Sequence, residues 1–185
     1  MGRWQPEARA RLEQAALELF EEKGFEETTV AEIAERAGLT KRTFFRYFTD
    51  KREVLFGGSA LLQESFEESV RDAPADAAAL AAVEAALFAV AGIFEERRDF
   101  AARRQRIISA SPELRERELI KLAALGAAVD AALRARGVDA RAATLTAEAG
   151  MAVFRVSFER WVSEPGGDLA AVLRDSLAEL RAVAA

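Results

Sequence analysis

Residues Thr29 to Lys51, TVAEIAERAGLTKRTFFRYFTDK, constrain this chain most, because they spell two short helices joined by a tight turn. Val30, Ile33, Ala34 and Ala37 recur at i, i+3, i+4 and i+7, so the first helix has one apolar face, and Thr29 can cap its free amides. Gly38 stops that helix. Leu39 can tuck beneath the turn, and Thr40 offers its hydroxyl as the cap of a second helix running from Lys41 to Phe48.

On the second helix Phe44 and Phe48 lie four apart and can share a core-facing side. Lys41, Arg42, Phe45 and Arg46 then point away, with Thr40 and Thr43 at the start. Lysine and arginine donate to guanine edges or phosphates, hydroxyls bond phosphate oxygens, and a ring can touch a thymine methyl, so this mixture suits a DNA groove. Lys51 follows a Thr-Asp turn at the expected start of another helix, where its ammonium and the free amides could meet a phosphate. Between Gly38 and Arg52 the only acid is Asp50, set against Lys41, Arg42, Arg46, Lys51 and Arg52. A solvated basic face on a plain packing motif would carry the same pattern.

The stretch ALELFEEKGFEETTVAEIAERAGLT followed by KRTFFRYFTDK resembles the N-terminal domain of the TetR family of bacterial transcriptional regulators, over Arg3 to about Phe56. Such proteins commonly carry a Thr-Leu-Tyr-x-His-Phe-x-x-Lys-like run. Thr43, Phe44, Phe45, Tyr47, Phe48 and Lys51 stand at its Thr, Leu, Tyr, His, Phe and Lys. Two departures alter the chemistry. Phe45 has no hydroxyl for a phosphate, which moves its role to apolar contact, and Tyr47 must bond through a phenol instead of an imidazole. The resemblance implies an all-α protein of about nine helices, with a three-helix DNA-binding head at 1–52 and a ligand-binding and dimerisation body at 53–185.

Composition narrows the chemistry. The chain has 185 residues, 51% apolar and 31% charged, enough for a folded core. Its net charge of -5 repels nucleic acid as a whole, so DNA contact must come from a local basic patch. With no cysteine and no histidine, a thiol switch, a zinc finger and a Ser-His triad are excluded. No catalytic residue, metal site or cofactor is expected. Neither a membrane-spanning run nor a signal-peptide pattern is found, so the expected location is cytoplasmic, without a membrane partner.

Around the central stretch, Arg3 can reach along DNA as an N-terminal arm or belong to a loose tail. Pro6 to Lys23 reads as a helix carrying Leu12, Ala15, Ala16, Leu19 and Phe20 inward, with Phe25 folded in behind Gly24. A longer helix is expected from Asp50 or Lys51 to about Asp72, with Gly57 and Gly58 inside it as a site of close packing or as a soft joint. Asp76 reads as the cap of a helix to Arg98, Asp99 to Ser109 as an arginine-rich helix, and Ser111-Pro112 as the opening of one to about Ala135. Asp139 should cap a helix to Ser163 that is apolar nearly all round. Asp168 should cap the last. Surplus apolar surface on these two helices points to an isologous four-helix dimer bundle, with Leu145, Ala149, Val153, Val156, Leu173, Leu177 and Leu180 at the interface.

The family resemblance further implies double-stranded DNA with a palindromic operator as partner, and a small-molecule effector inside the body. DNA contacts are expected from Arg3, Thr29, Thr40, Lys41, Arg42, Thr43, Phe45, Arg46, Tyr47 and Lys51. A lipophilic effector could be lined by Phe66, Phe88, Phe94, Phe100, Met151, Phe154 and Phe158, although rings at helical spacing also make ordinary core. Arg103 and Arg104 could hold the phosphates of an acyl-CoA, or form a solvated face. The leading expectation is a repressor released from its operator by such a ligand. The alternative is a helical scaffold that retains the head. An enzyme would need paired carboxylates or an activated lysine, and the acids Glu21, Glu22, Glu26 and Glu27 lie in a surface-like run instead.

Overall fold

The computed structural model describes residues 5–164 and 166–184. They form nine α-helices and one 3-10 turn: α1 (Gln5–Lys23), α2 (Val30–Arg36), α3 (Lys41–Tyr47), the 3-10 turn Glu53–Leu55, α4 (Ser59–Asp72), α5 (Ala79–Glu95), α6 (Arg98–Ala110), α7 (Pro112–Ala135), α8 (Ala140–Ser163) and α9 (Leu169–Ala184). The all-α expectation therefore holds. Two compact units divide them, one holding the residues up to Ser59 together with Arg103–Glu118, the other holding Ala60–Ala102 and the chain from Leu119 on. The sequence suggests a single division at 52/53; helices α6 and α7 instead each contribute to both units.

In the first unit α1 packs on α2 and on the 3-10 turn, and α2 packs on α3. Leu12, Leu17, Ile33, Phe44, Ile108 and Leu114 are fully buried there, and Phe25 closes on Phe20 at a ring distance of 5.3 Å. The joint between α2 and α3 is held chemically at both ends. Thr29 and Glu32 form a reciprocal capping box, a Thr-x-x-Glu spacing visible in the sequence, and Thr40 accepts a hydrogen bond from the Thr43 amide at 3.1 Å. Gly38 between them has φ +64°, a left-handed conformation that favours glycine.

The second unit is built on α5, α8 and α9, which pack mutually around Val83, Leu87, Val90, Phe154, Trp161, Leu169 and Leu173. Gly150 allows the close approach of α8 to α5: a Cβ there would run into the Val83 side chain. Ser157 and Ser176, both buried, satisfy each other across α8 and α9 at 2.9 Å. Asp139 caps α8 through the Arg141 and Ala142 amides, and Asp168 caps α9 through the Ala170 amide, as their positions predict.

Two local expectations are corrected. The helix expected from residue 50 or 51 to Asp72 is broken: the 3-10 turn ends at Leu55, Gly57 and Gly58 lie in a turn, and α4 begins only at Ser59. Arg9 donates to the Gly57 carbonyl, and the Phe48 ring stands 3.2 Å from where a Gly57 Cβ would be, so that glycine sits at a close approach. Gly58 faces open space. Asp76, expected to cap α5, lies in a turn in which the Ala77 amide bonds the Pro74 carbonyl at 2.9 Å; α5 starts at Ala79 without a side-chain cap.

Candidate nucleic-acid interface

The α3 helix is seven residues long and sinks one side into the core. Phe44 is fully buried and Phe48, at its C-cap, is 4% exposed, which fixes the rotation of the helix. Lys41, Arg42, Phe45 and Arg46 consequently share the solvent face. Among the described residues no acidic side chain pairs with Lys41, Arg42 or Arg46. This absence of acids on a chain of net charge -5 makes the face a local positive patch.

The remaining sequence-predicted contacts fall into different situations. Arg46 lies over the Tyr47 ring at 5.0 Å and donates to its hydroxyl at 3.1 Å, so the two present a joined donor group. The Thr40 and Thr43 hydroxyls stand 3.1 Å apart at the exposed start of α3. Thr29 is committed to its capping box, its hydroxyl donating to Glu32 at 2.7 Å. Lys51 turns inward: its ammonium donates to the carbonyls of Phe25, Glu26 and Thr28 at 2.8, 3.0 and 3.2 Å and lies over the Phe25 ring at 4.3 Å. It clasps the connection after α1 instead of standing free for a phosphate, because three carbonyls of that non-helical bend converge on its ammonium. Arg3 lies outside the described residues.

The electrostatics behind α3 come from ion pairs. Lys23 and the Thr29 cap, both bonded to Glu32, pull its carboxyl down to about 2. Arg36 forms a two-pronged pair with Glu22, at 2.8 Å for each oxygen, and holds that carboxyl below its ordinary range. Arg52 does the same for Asp50 at 2.7 Å. Glu32, Glu22 and Asp50 are therefore already engaged by partners other than Lys41, Arg42 and Arg46.

The arginines expected to hold an anionic ligand are engaged by acceptors of the protein itself. Arg103 pairs with Glu21 at 2.6 Å, an interaction that also lowers the Glu21 carboxyl. Arg104 donates to the Leu55 carbonyl at 2.6 Å, pairs with Glu118 at 3.1 Å and covers the Phe56 ring at 4.9 Å. Burial pushes the Arg104 guanidinium down from its ordinary value. Both belong to the first unit, whereas Phe66, Phe88, Phe94, Phe100, Met151, Phe154 and Phe158 belong to the second. Of those, Phe66, Phe154 and Phe158 are core residues; Phe94 meets Phe154, Phe158 and Trp161 at 6.0, 5.0 and 6.4 Å, and Phe100 lies under Arg97 at 4.5 Å. Phe88, Phe94 and Met151 are only partly buried against this cluster.

The expected interface residues also divide. Val153, Leu173 and Leu177 are 4%, 0% and 2% exposed within the protomer, spent on packing α8 and α9 against α5, so they offer no surface to a second copy. Leu145 and Val156 are 71% and 48% exposed. Ala149 and Ala152 lie between them at intervals of 4, 3 and 4 residues, a seam of coiled-coil spacing in which the small side chain of Ala152 gives little signal in the sequence. Leu180 is partly buried against the core.

Comparison with known proteins agrees with this geometry. Residues 13–56 match the family model for bacterial regulatory proteins of the tetR family, and residues 77–185, over half of the chain, match the model for the MftR C-terminal domain of TetR-type regulators. The HTH-type transcriptional regulator TcmR of Streptomyces glaucescens is 40% identical over 84 residues, 45% of this chain and only 37% of TcmR, so the chain matches little more than a third of that relative's length. The structure of Thermus thermophilus FadR, a TetR-family repressor in complex with lauroyl-CoA, is 29% identical with a TM-score of 0.58 over 92% of this chain and 91% of that one. Bacillus subtilis FadR in complex with stearoyl-CoA shares the fold at 21% identity, with a TM-score of 0.62 over 91% and 95% of the two chains. The chain belongs to the TetR family of DNA-binding transcriptional regulators.

Proposed function

We propose that this regulator is a homodimeric repressor that grips a palindromic operator with two copies of α3 and is released by a lipophilic small molecule. The exposed, acid-free face of Lys41, Arg42 and Arg46 carries the DNA half of the reading. Lys41 and Arg42 each donate to phosphate as well as to base edges, the Arg46-Tyr47 pair and the Thr40 and Thr43 hydroxyls position the helix, and Phe45 adds apolar contact. Thr29 and Lys51 act indirectly, by holding α2 and the Phe25–Thr28 bend that support it.

The seam Leu145, Ala149, Ala152 and Val156 supports the dimer: an exposed apolar stripe at coiled-coil spacing is matched by a second copy related by twofold symmetry. Two heads about 34 to 36 Å apart then enter successive major grooves. Among effector classes, long-chain acyl-CoA has first place, because the chain is 29% identical to a FadR in complex with lauroyl-CoA. The acyl chain would be met by the partly buried Phe88, Phe94 and Met151 edges of the second unit. The Glu21, Glu118 and Leu55-carbonyl partners of Arg103 and Arg104 argue against these two as its phosphate partners.

Selection of genomic DNA fragments by the purified protein, with and without lauroyl-CoA, tests the reading. A palindromic motif released by the ligand is the expected result. A motif indifferent to acyl chains of every length removes the effector, and no motif from an intact dimer favours a scaffold protein instead.

A further inference from the structure

Phe45 is 56% exposed, and it is the one large apolar side chain with such exposure among the described residues of the first unit. The core beneath it is complete without it, since Phe44 and Phe48 are 0% and 4% exposed. Its ring meets Phe44 edge to face, with centroids 5.5 Å apart and planes at 83°, so a buried residue braces it in one orientation. Lys41, Arg42 and Arg46, all exposed, surround it on the same face of α3. A phenyl group has no donor or acceptor to give a phosphate or a base edge. The apolar feature that B-DNA presents in the major groove is the C5-methyl of thymine.

We propose that Phe45 is a specificity-determining residue that reads the C5-methyl of one thymine in each operator half-site. The inference rests on the DNA-binding reading of α3 and adds to it a base identity. The neighbouring cations supply affinity for phosphate whatever the sequence, while the braced ring fixes a thymine at one position. Exchange of that thymine for deoxyuridine removes only the methyl group and leaves base pairing unchanged.

The test replaces each thymine of the selected operator by deoxyuridine, one symmetric pair at a time, and measures affinity for the unmodified protein, Phe45→Ala and Phe45→Leu. Burying one methyl is worth about fourfold in affinity, hence about fifteenfold for the two half-sites of a dimer. One symmetric pair should show that loss with the unmodified protein, retain a smaller loss with Phe45→Leu and show none with Phe45→Ala, whose melting temperature should be unchanged. Equal affinity for every deoxyuridine operator, or a penalty that persists in Phe45→Ala, overturns the proposal while leaving DNA binding in place. No sequence-selective binding by the unmodified protein overturns the DNA-binding reading as well.

Discussion

Helices α3 and α6 are both rich in cations, yet the protein uses them in opposite ways. Lys41, Arg42 and Arg46 of α3 stand in solvent without an acidic partner among the described residues. On α6, Arg98 donates to the Trp161 and Glu164 carbonyls at the end of α8 and to Gly167 beyond it, and covers the Trp161 ring at 4.8 Å. Arg103 and Arg106 reach Glu21, and Arg104 is shared between Glu118 and a carbonyl. A cation used for folding is surrounded by its own chain's acceptors. Under the proposed function, one kept for a polyanion is left without them, at some cost in self-repulsion.

The largest effect should come from α3. Arg42→Ala with Arg46→Ala removes two cations per head, and at about 1 to 3 kcal/mol for each specific interaction operator affinity should fall by at least two orders of magnitude, with no loss of thermal stability. A titration of labelled operator checks it. The comparison presumes that two heads act together, which Leu145→Asp probes. It places a charge on each side of the apolar seam, and sedimentation should show a dimer dissociation constant raised on the order of a hundredfold.

Arg104→Ala should behave in the reverse manner to the α3 pair. It leaves a half-buried Glu118 and the Leu55 carbonyl without their partner, costing about 2 kcal/mol. At this chain length that is a melting temperature lower by about 4 to 8 °C. Operator affinity of the folded protein should change less than about twofold, since the proposed α3 donors are still in place. A large drop in affinity without a drop in stability would erase the distinction between the helices.

The smallest effect concerns pH. Glu32, Glu21, Glu22 and Asp50 all have carboxyls lowered by a bonded cation, so each contributes stability that is complete above the unfolded value and lost as pH falls through the folded one. For Glu32 the window runs from 4.5 down to about 2. Denaturant unfolding should therefore show stability declining across that window, and Glu32→Gln should flatten the decline slightly, because exposed pairs are screened by water.

Much of the architecture is legible in the sequence because its signals are local. Thr29, Thr40, Ser111, Asp139 and Asp168 each begin a helix near where their side chains predict, and the apolar period of α1 identifies its buried face. The site is legible where burial of Phe44 and Phe48 alone decides what remains outside. The failures concern long-range pairing. Nothing near Arg103 in the sequence indicates that Glu21 will meet it, nothing near Lys51 reveals the three carbonyls it clasps, and nothing in α9 shows that Leu173 and Leu177 will be consumed inside the protomer. Gln105, whose side-chain carbonyl is buried without a partner beside the Glu118 pair, is equally silent in the sequence.

The most direct test of the two uses of arginine is the salt dependence of operator binding, compared between Arg42→Ala on α3 and Arg106→Ala, an exposed position on α6. Each neutralised phosphate adds about 0.9 to the slope of log affinity against log salt, so removing one cation from each of two heads should lower it by roughly 2. The expected result is that reduction for Arg42→Ala and an unchanged slope for Arg106→Ala. An unchanged slope for Arg42→Ala together with a reduced one for Arg106→Ala would contradict it and move the nucleic-acid face to α6.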